Sequence, residues 1–312
     1  NVSHKNTPHR LVYLNGQFVP EQEARISIFD SALMYGDMVF EMTRSFMQEP
    51  FLLDRHLDRL YDSIRYAQLD ITLSQSQMLA ATLQTIEQNR EVLGPHDFQI
   101  MHNVTRGGLD MYRELIQEGT SSVVTINVLP LVRHVGQLAK TYVDGAHFVT
   151  PRQQSVPARF IDPKAKNRSR IYYKKAEIEA AQLSKGALAL LTDERGFVTE
   201  GSGNNFFMVK DGAIFTPKPH DILRGVSRQY CIELAQELEP VRNANRETLP
   251  FVKRWHFSTT ERRYLSQLLT RCAAYNYIPS PNDFYDTSQT NIVLQKIERE
   301  LSRQALELKN FK

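Results

Sequence analysis

Apolar and polar residues alternate strongly near the start of the chain. Residues 11–19 (LVYLNGQFV) carry apolar side chains on both sides of Asn15-Gly16, which predicts a β-hairpin closed by a two-residue turn. Strand-forming residues predict three further strands in the first half, at residues 38–53, 97–105 and 121–128. Helical spacing of apolar residues predicts two helices, at residues 54–69, with Asp54 as the capping residue, and at 74–89.

The second half mixes helices with short strands. Residues 168–184 predict a helix that Lys185-Gly186 would end, and residues 226–239 predict another. Short apolar runs predict strands at residues 146–150, 187–192, 197–199, 204–209 and 213–215. This mixture indicates an α+β (mixed α/β) enzyme fold. Pro and Gly interrupt the pattern midway, so we expect a small N-terminal α/β domain (1–128), an interdomain linker (129–138) and a larger C-terminal domain (139–312).

Charge and composition narrow the class of protein. The formal net charge of the 312 residues is only +3, and no dense Lys/Arg block occurs, so we expect no nucleic-acid partner. The two cysteines lack a nearby histidine, and we therefore expect no metal site. Low cysteine use, a polar N-terminus and the lack of a long apolar run favour a soluble, cytoplasmic protein without membrane contact.

A first candidate for chemistry is Glu200, in the segment 192–209 (TDERGFVTEGSGNNFFMV). It follows a β-branched pair and precedes Gly-Ser-Gly, which places it where a strand ends in a tight turn. A carboxylate there can point into a cleft, and the small residues after it let a cofactor approach the backbone. A solvated glutamate in a surface turn is the alternative interpretation.

A second candidate is the segment 221–229 (DILRGVSRQ), where Gly225, Val226 and Ser227 begin a predicted helix. Unpaired backbone N–H groups and a hydroxyl at a helix N-terminus form a seat for phosphate. Many helices begin this way, so an ordinary helix start stays open. Combined with Glu200, the segment suggests a phosphorylated ring cofactor, with an acid for one end and an anion seat for the other.

A third candidate is the lysine-rich segment 159–175 (RFIDPKAKNRSRIYYKK). An amine surrounded by positive charge and partly desolvated has a lowered pKa, as a Schiff-base lysine requires. A solvated basic loop is the alternative interpretation. On charge alone four lysines are candidates: Lys164, Lys166, Lys174 and Lys175.

Several segments together, in this order, resemble the class IV (fold type IV) pyridoxal-phosphate aminotransferases, which include the branched-chain and D-amino-acid aminotransferases and aminodeoxychorismate lyase. The resemblance covers about residues 10–260. It is carried by MYGDMVFEMTR (34–44), DRHLDRL (54–60), KNRSR (166–170), VTEGSGNNFF (198–207) and ILRGVSR (222–228).

The resemblance implies pyridoxal 5'-phosphate as cofactor, held between the two domains. Lys166 would form the Schiff base and move the proton, and Glu200 would keep the pyridine nitrogen protonated. Arg59 and Ser227 would bind the phosphate. The other implied cofactor-binding residues are Arg170, Leu223, Gly225, Val226, Thr259 and Thr260. The implied substrate-binding residues are Tyr35, Phe40 and Arg44, on the strand that lines the cavity, and Arg106, for which a surface arginine is the alternative.

The same resemblance implies a transaminase that moves an amino group from an amino acid or amine to a 2-oxo acid by a ping-pong mechanism. Aminodeoxychorismate lyase is the alternative that keeps the cofactor, and a serine hydrolase is a further one, although no Gly-x-Ser-x-Gly elbow occurs. The apolar stretch around Tyr35–Phe40 predicts a homodimer. The Gly-rich hairpin of the family is missing after Thr260, which predicts an open substrate pocket.

Overall fold

The chain divides into two compact units. The computed structural model describes residues 9–116, 119, 121–132, 141, 145–210, 213–238 and 252–256. The first unit comprises Asn1–Gln137 with Ala165–Arg170, and the second comprises Leu138–Lys164 with Ile171–Lys312. The predicted linker at 129–138 stays a prediction. The segment Ala165–Arg170, which contains Lys166, is part of the first unit, and the predicted domain bounds 1–128 and 139–312 stay predictions.

The first unit is built on a six-stranded antiparallel sheet with the strand order β2-β1-β6-β5-β3-β4. Its elements in chain order are β1 (Leu11–Leu14), β2 (Gln17–Pro20), α1 (Ser31–Tyr35), β3 (Met38–Phe46), β4 (Glu49–Pro50), α2 (Leu53–Tyr66), α3 (Gln75–Leu93), β5 (Phe98–Thr105), a 3-10 helix (Asp110–Leu115) and β6 (Val124–Pro130).

The predicted hairpin is confirmed. Leu14 pairs with Gln17 across a two-residue turn, and the turn residues Asn15 and Gly16 have φ angles of 48° and 91°. Positive φ at both positions is the geometry that Asn-Gly favours, because its twist matches that of the flanking strands. The predicted strand at 38–53 is wrong in its extent: β3 ends at Phe46 and turns through Met47 and Gln48, both at positive φ, into β4.

Helices α2 and α3 cover one face of this sheet with apolar side chains. The core that they share with the strands includes Leu53, Leu57, Leu60, Ile64, Met78, Ile86, Phe98, Ile100 and Ile126. Helix α3 begins with a capping box between Ser74 and Gln77. The prediction that Asp54 caps α2 is wrong, because the cap position is Leu52 and Asp54 lies in the first turn.

Strand β3 presents a different set of residues to each face of the sheet. Val39 packs in the core, and Glu41 faces α2, where it binds His56 and Arg59. Phe40, Met42 and Arg44 alternate with these residues and share the opposite face, as strand geometry requires. The placement of Tyr35 on this strand is wrong: it ends helix α1 before Gly36, a left-handed cap residue with φ 68°.

In its described residues the second unit has two three-stranded sheets, β7-β8-β9 and β10-β11-β12. Its elements are β7 (Phe148–Val149), α4 (Ile171–Leu183), β8 (Leu188–Thr192), β9 (Val198–Gly201), β10 (Met208–Lys210), β11 (Ala213–Pro217), α5 (Val226–Leu238) and β12 (Val252–His256). Helix α4 packs on β8 through small residues, with Ala176 and Ala180 against Ala189 and Leu191.

Both units mix helices with strands, so the predicted α+β (mixed α/β) class is confirmed. In the ranges given above, no helix is long and apolar enough to cross a membrane. Those ranges also hold no group of three or more His, Cys, Asp or Glu side chains placed to bind a metal ion.

Candidate active site

Lys166 is held against the edge of β3 by backbone hydrogen bonds. Its carbonyl oxygen accepts from the Phe40 N–H at 3.0 Å, and its own N–H donates to the Ser63 hydroxyl at 3.0 Å. Two residues later, Arg168 N–H donates to the Met38 carbonyl oxygen at 2.9 Å. The amine of Lys166 lies 4.8 Å from the centre of the Phe40 ring. Lys166 is therefore held between the edge of β3 and helix α2, with its amine over the Phe40 ring.

The other three candidate lysines have different surroundings. Lys164 pairs with Asp162 at 2.8 Å, and Lys174 pairs with Glu177 at 3.1 Å on the surface of α4. Lys175 is exposed. Lys166 instead has two neighbouring guanidinium groups on the same ring, since the Cζ atoms of Arg168 and Arg170 lie 3.6 and 5.8 Å from the Phe40 centroid. Among the four, the geometry favours Lys166.

Arg59, the predicted phosphate ligand, is anchored by a fully buried carboxylate. Its Nε donates to Glu41 Oε2 at 2.8 Å, and its Nη2 donates to Oε1 at 2.6 Å. His56 Nδ1 lies 3.0 Å from the same Oε1. Burial raises the pKa of Glu41, but the charges of Arg59 and His56 and their hydrogen bonds outweigh burial and hold it well below its usual value. The carboxylate is thus ionised and only accepts, so His56 Nδ1 donates.

Glu200 is buried in the second unit, not solvated in a surface turn. Its Oε1 accepts from the Tyr173 hydroxyl at 2.7 Å. Its Oε2 accepts from Asn205 Nδ2 and from the Leu223 N–H, both at 3.1 Å. Burial and the charge of Glu200 raise the pKa of Tyr173 well above its ordinary value, which keeps the phenol protonated as a donor. These donors fix the orientation of the carboxylate.

Asn205 was missed in the sequence, although it connects two predicted site segments. Its Nδ2 donates both to Glu200 Oε2 and to the Leu223 carbonyl oxygen, the latter at 2.9 Å. A Cβ placed on Gly225 would lie 2.0 Å from Asn205 Oδ1, so a larger residue there would have to displace the Asn205 side chain. The signal in the sequence was weak, because an amide after Gly-Ser-Gly also suits an ordinary turn.

The predicted anion seat lies at the start of α5, which begins at Val226 as predicted. Ser227 is half-exposed, while Arg228 is buried, donating through Nε to Thr216 Oγ1 at 3.1 Å and through Nη2 to the Pro217 carbonyl oxygen at 2.8 Å. Burial lowers the pKa of Arg228 to about 10, against the opposing charge of Glu200. Thr259 and Thr260 lie outside the described residues.

The predicted substrate-binding residues do not share one environment. Tyr35 is exposed and Phe40 is buried. Arg44 is buried, with its guanidinium over Phe46 and its Nε donating to the Ser45 carbonyl oxygen at 3.0 Å. Arg106, at the end of β5, is half-exposed, so the structure gives this side chain a surface position.

Arg106 is engaged by protein groups on several sides. Its Nε donates to Asp37 Oδ2 at 2.5 Å, and its Nη atoms donate to the carbonyl oxygens of Ala67 and Gln68 at 2.8 and 2.9 Å. Ala67 and Gln68 follow directly after α2, where a cation compensates the unpaired carbonyl groups. The guanidinium therefore stabilises a helix end and an adjoining turn.

Each unit by itself carries groups of the kind that pyridoxal phosphate needs. The first unit has the Lys166 amine among cations, which suits an aldehyde. The second unit has the buried Glu200 carboxylate, which suits a ring nitrogen, and a helix that begins Val-Ser, which suits a phosphate. Gly225 leaves room for the Asn205 side chain beside the start of α5.

Comparison with known proteins identifies the family of the chain. The family model described as "Amino-transferase class IV" matches residues 38–248. The chain is 35% identical over 227 residues, 72% of this chain and 75% of the relative, to a putative branched-chain-amino-acid aminotransferase of Methanocaldococcus jannaschii. It is 28% identical to a solved branched-chain amino acid aminotransferase of T.th. in complex with N-(5'-phosphopyridoxyl)-L-glutamate, with a TM-score of 0.63 and 74% of each chain covered.

A second solved structure, the branched-chain amino acid aminotransferase of Escherichia coli, is 26% identical with a TM-score of 0.65, covering 74% of this chain and 75% of that one. The chain thus belongs to the amino-transferase class IV family, and it has the mixed fold of that family. The enzyme class expected from the sequence is confirmed. These relatives are aminotransferases, which disfavours the lyase and the serine hydrolase.

Proposed function

We propose that this protein is a pyridoxal-phosphate-dependent transaminase that moves an amino group from an amino acid to a 2-oxo acid by a ping-pong mechanism. The observation that carries the proposal is the buried Glu200 carboxylate, which three donors hold in one orientation. A buried carboxylate held in one orientation can accept a hydrogen bond from a protonated pyridine nitrogen and stabilise its charge. A structure of a relative with a phosphopyridoxyl group supports the choice of cofactor.

Each site residue has its own proposed role in the reaction. Pyridoxal phosphate, when bound, supplies an electron-accepting ring. Lys166 would hold the cofactor through its amine and would act as the base for the substrate proton. Glu200 would keep the ring nitrogen protonated. Tyr173 and Asn205 keep the Glu200 carboxylate oriented.

For the phosphate we propose Arg59, held by Glu41, together with the N–H groups and the Ser227 hydroxyl at the start of α5. Thr259 and Thr260 stay in the same proposal on the resemblance alone. Leu223 is proposed to pack under the ring, and its N–H is already used by Glu200. Arg170 is proposed to act near the ring oxygen.

Branched-chain amino acids are the donors that we propose first, because the relatives described above carry that name. We also propose a homodimer. The exposed apolar side chains of α1, which are Leu33, Met34 and Tyr35, support an interface there, whereas Phe40 is buried within its own unit. An active monomer at micromolar concentration in light scattering would count against the dimer.

Two measurements test the proposal. Borohydride reduction of the yellow protein followed by peptide mapping should place the cofactor on Lys166, and label on Lys164 or Lys174 would refute that role. Glu200→Gln should leave the cofactor bound but lower kcat by about two orders of magnitude or more, the scale of a lost electrostatic partner. Wild-type turnover with leucine or valine and 2-oxoglutarate establishes transamination, and its absence with all such pairs would overturn the function.

A further inference from the structure

Arg168 follows the predicted site lysine by two residues and contacts strands β3 and β5. Its guanidinium is stacked on Phe40 at 3.6 Å, on the ring that also carries the Lys166 amine at 4.8 Å. Its Nη2 reaches Met101 Sδ at 3.3 Å and Asn103 Oδ1 at 3.5 Å, both on β5. The sequence alone indicated no role for Arg168.

These contacts leave the charge of Arg168 without a counter-charge. Within the part of the chain that the structure describes, its side chain contacts a ring, a thioether and a neutral amide, and no carboxylate pairs with it. Burial, and then the neighbouring charge of Arg170, lower its pKa. A half-buried cation in this state gains most from an anionic ligand, because the protein has already desolvated it.

The two arginines expected to bind substrate are engaged elsewhere. Arg106 bonds Asp37 and the carbonyl oxygens that follow α2, and it would have to release them to bind a ligand. Arg44 is buried over Phe46, with Asp97 Oδ2 3.8 Å from its Nη2. Arg168 contacts neutral groups instead, the Met101 thioether at 3.3 Å and the Asn103 amide oxygen at 3.5 Å, and the second distance is at the limit for a hydrogen bond.

We propose that Arg168 binds the carboxylate of the amino donor and of the 2-oxo acid. Its planar fork matches the two oxygens of a carboxylate, and its Cζ and the Lys166 amine lie 3.6 and 4.8 Å from the centre of the same ring. Phe40 supports both cations through its ring face. This assignment rests on the proposed transaminase function, and it names the residue that selects substrates with a carboxylate.

The experiment compares a carboxylate ligand with its neutral analogue on the cofactor-loaded protein. Calorimetric titration uses 4-methylvalerate, which has a carboxylate and no amino group, and 4-methylvaleramide, which has the same shape without charge. Arg168→Gln should weaken binding of the carboxylate at least about tenfold and binding of the amide less than about threefold. Arg168→Lys keeps the charge but loses the planar guanidinium, so its affinity for the carboxylate should lie between those of the wild type and Arg168→Gln.

Steady-state kinetics provide the second readout. In Arg168→Gln the KM for 2-oxo acids should rise at least about tenfold with a smaller change in kcat, because the lost contact is made before and during reaction alike. Arg106→Gln is the matched variant, and we expect it to leave the ratio of carboxylate to amide affinity as in wild type.

The outcomes separate this assignment from the function itself. Three results would each overturn the role of Arg168. Arg168→Gln could lose affinity for the carboxylate and the amide equally, or keep its affinity for the carboxylate. Alternatively, Arg106→Gln could lose affinity for the carboxylate selectively. A wild-type protein that binds no pyridoxal phosphate or transfers no amino group would overturn the proposed function, whatever the variants do.

Discussion

Arg59 forms a bidentate ion pair with Glu41, in which Nε donates to Oε2 at 2.8 Å and Nη2 donates to Oε1 at 2.6 Å. Glu41 is fully buried and Arg59 nearly so. His56 donates to the same carboxylate, and burial together with the nearby charges of Arg59 and Lys166 keeps its pKa below the ordinary value in spite of Glu41. One anion therefore fixes the direction of the guanidinium that we propose for phosphate.

The first prediction concerns this buried pair. Glu41→Gln keeps the shape of the side chain but leaves the Arg59 charge buried without its counter-charge. We expect the free energy of unfolding to fall by about 3–5 kcal/mol, as when one partner of a buried ion pair is removed. Urea denaturation measures the change. The control is Asp62→Asn, which breaks the exposed ion pair of Asp62 with Arg65 on α2, the helix that also carries Arg59. It should change the free energy of unfolding by about 0.5 kcal/mol or less. Similar losses in both variants would show that burial adds nothing to the pair.

A second prediction rests on His102, a fully buried histidine of β5. Thr82 donates its hydroxyl hydrogen to the Met78 carbonyl oxygen, so its oxygen accepts from His102 Nε2 at 2.8 Å. His102 Nδ1 has no partner within the described residues, and a proton added there would be a buried donor without an acceptor. Burial, with a smaller effect from His56, lowers the pKa of His102 to about 4 in spite of the opposing charge of Glu41.

The sign of the pH dependence follows from this pKa. Between about pH 6.5, where an unfolded histidine titrates, and about pH 4, the unfolded chain binds a proton that folded His102 does not. The free energy of unfolding should therefore fall as the pH drops through this window. His102→Gln should make that fall shallower, although His56 still contributes in the same direction. The exposed His220→Gln should keep the wild-type slope, and an unchanged slope in His102→Gln would contradict the assignment.

Local signals in the sequence predicted local structure well. The Asn15-Gly16 turn and the start of α5 at Val226 depend on neighbouring residues, and both are confirmed. The bounds of β3 and the position of Tyr35 were wrong, because the left-handed cap at Gly36 and the turn after Phe46 interrupt an apolar run that looks continuous in the sequence. Such breaks depend on backbone angles that an apolar pattern does not encode.

Candidate residues were predicted by type better than by partner. Glu200 could be selected from its turn, but its burial depends on Tyr173 and Leu223, each more than twenty residues away in the chain. Arg106 and Arg168 look equivalent as arginines in the sequence. Only the fold gives the first one an acid, Asp37, and the second one a ring and a neutral amide. Pairings over such separations cannot be read from spacing.

The third prediction tests whether Tyr173 acts through Glu200. Tyr173→Phe removes the hydroxyl that donates to Glu200 Oε1 and keeps the ring stacked near Tyr172. We expect kcat to fall about tenfold, the worth of one hydrogen bond to a charged group, with KM unchanged because the hydroxyl orients Glu200. The absorbance spectrum of the loaded protein should change as well. In a Glu200→Gln background the same substitution should have little further effect on either quantity.

A matched control for Tyr173→Phe is Tyr61→Phe. Tyr61 also donates its hydroxyl within hydrogen-bond distance, to the Leu73 carbonyl oxygen at 2.8 Å, but it lies in α2 of the other unit. Loss of the Tyr61 hydroxyl should lower the free energy of unfolding and leave the absorbance spectrum of the bound cofactor unchanged. If the effects of Tyr173→Phe and Glu200→Gln on kcat simply multiply in the double variant, Tyr173 has a packing role instead.

The last prediction uses two glycines that are close in the chain and different in their surroundings. A Cβ on Gly225 would meet Asn205 Oδ1 at 2.0 Å and Arg228 Cβ at 3.2 Å, whereas a Cβ on Gly203 would meet nothing within 4 Å. Gly225→Ala must displace Asn205 from Glu200 and Leu223, and it should weaken pyridoxal phosphate binding about tenfold or more, within the usual cost of overpacking. Gly203→Ala should bind pyridoxal phosphate within about twofold of the wild-type affinity, as equilibrium dialysis can measure.

A double variant provides the control. Asn205→Ala relieves the contact with Gly225 but also removes the hydrogen bonds to Glu200 and Leu223, so adding Gly225→Ala to it should weaken cofactor binding little further. A large additional loss in that double variant would mean that Gly225 is needed for the backbone at the start of α5 and not for the position of Asn205.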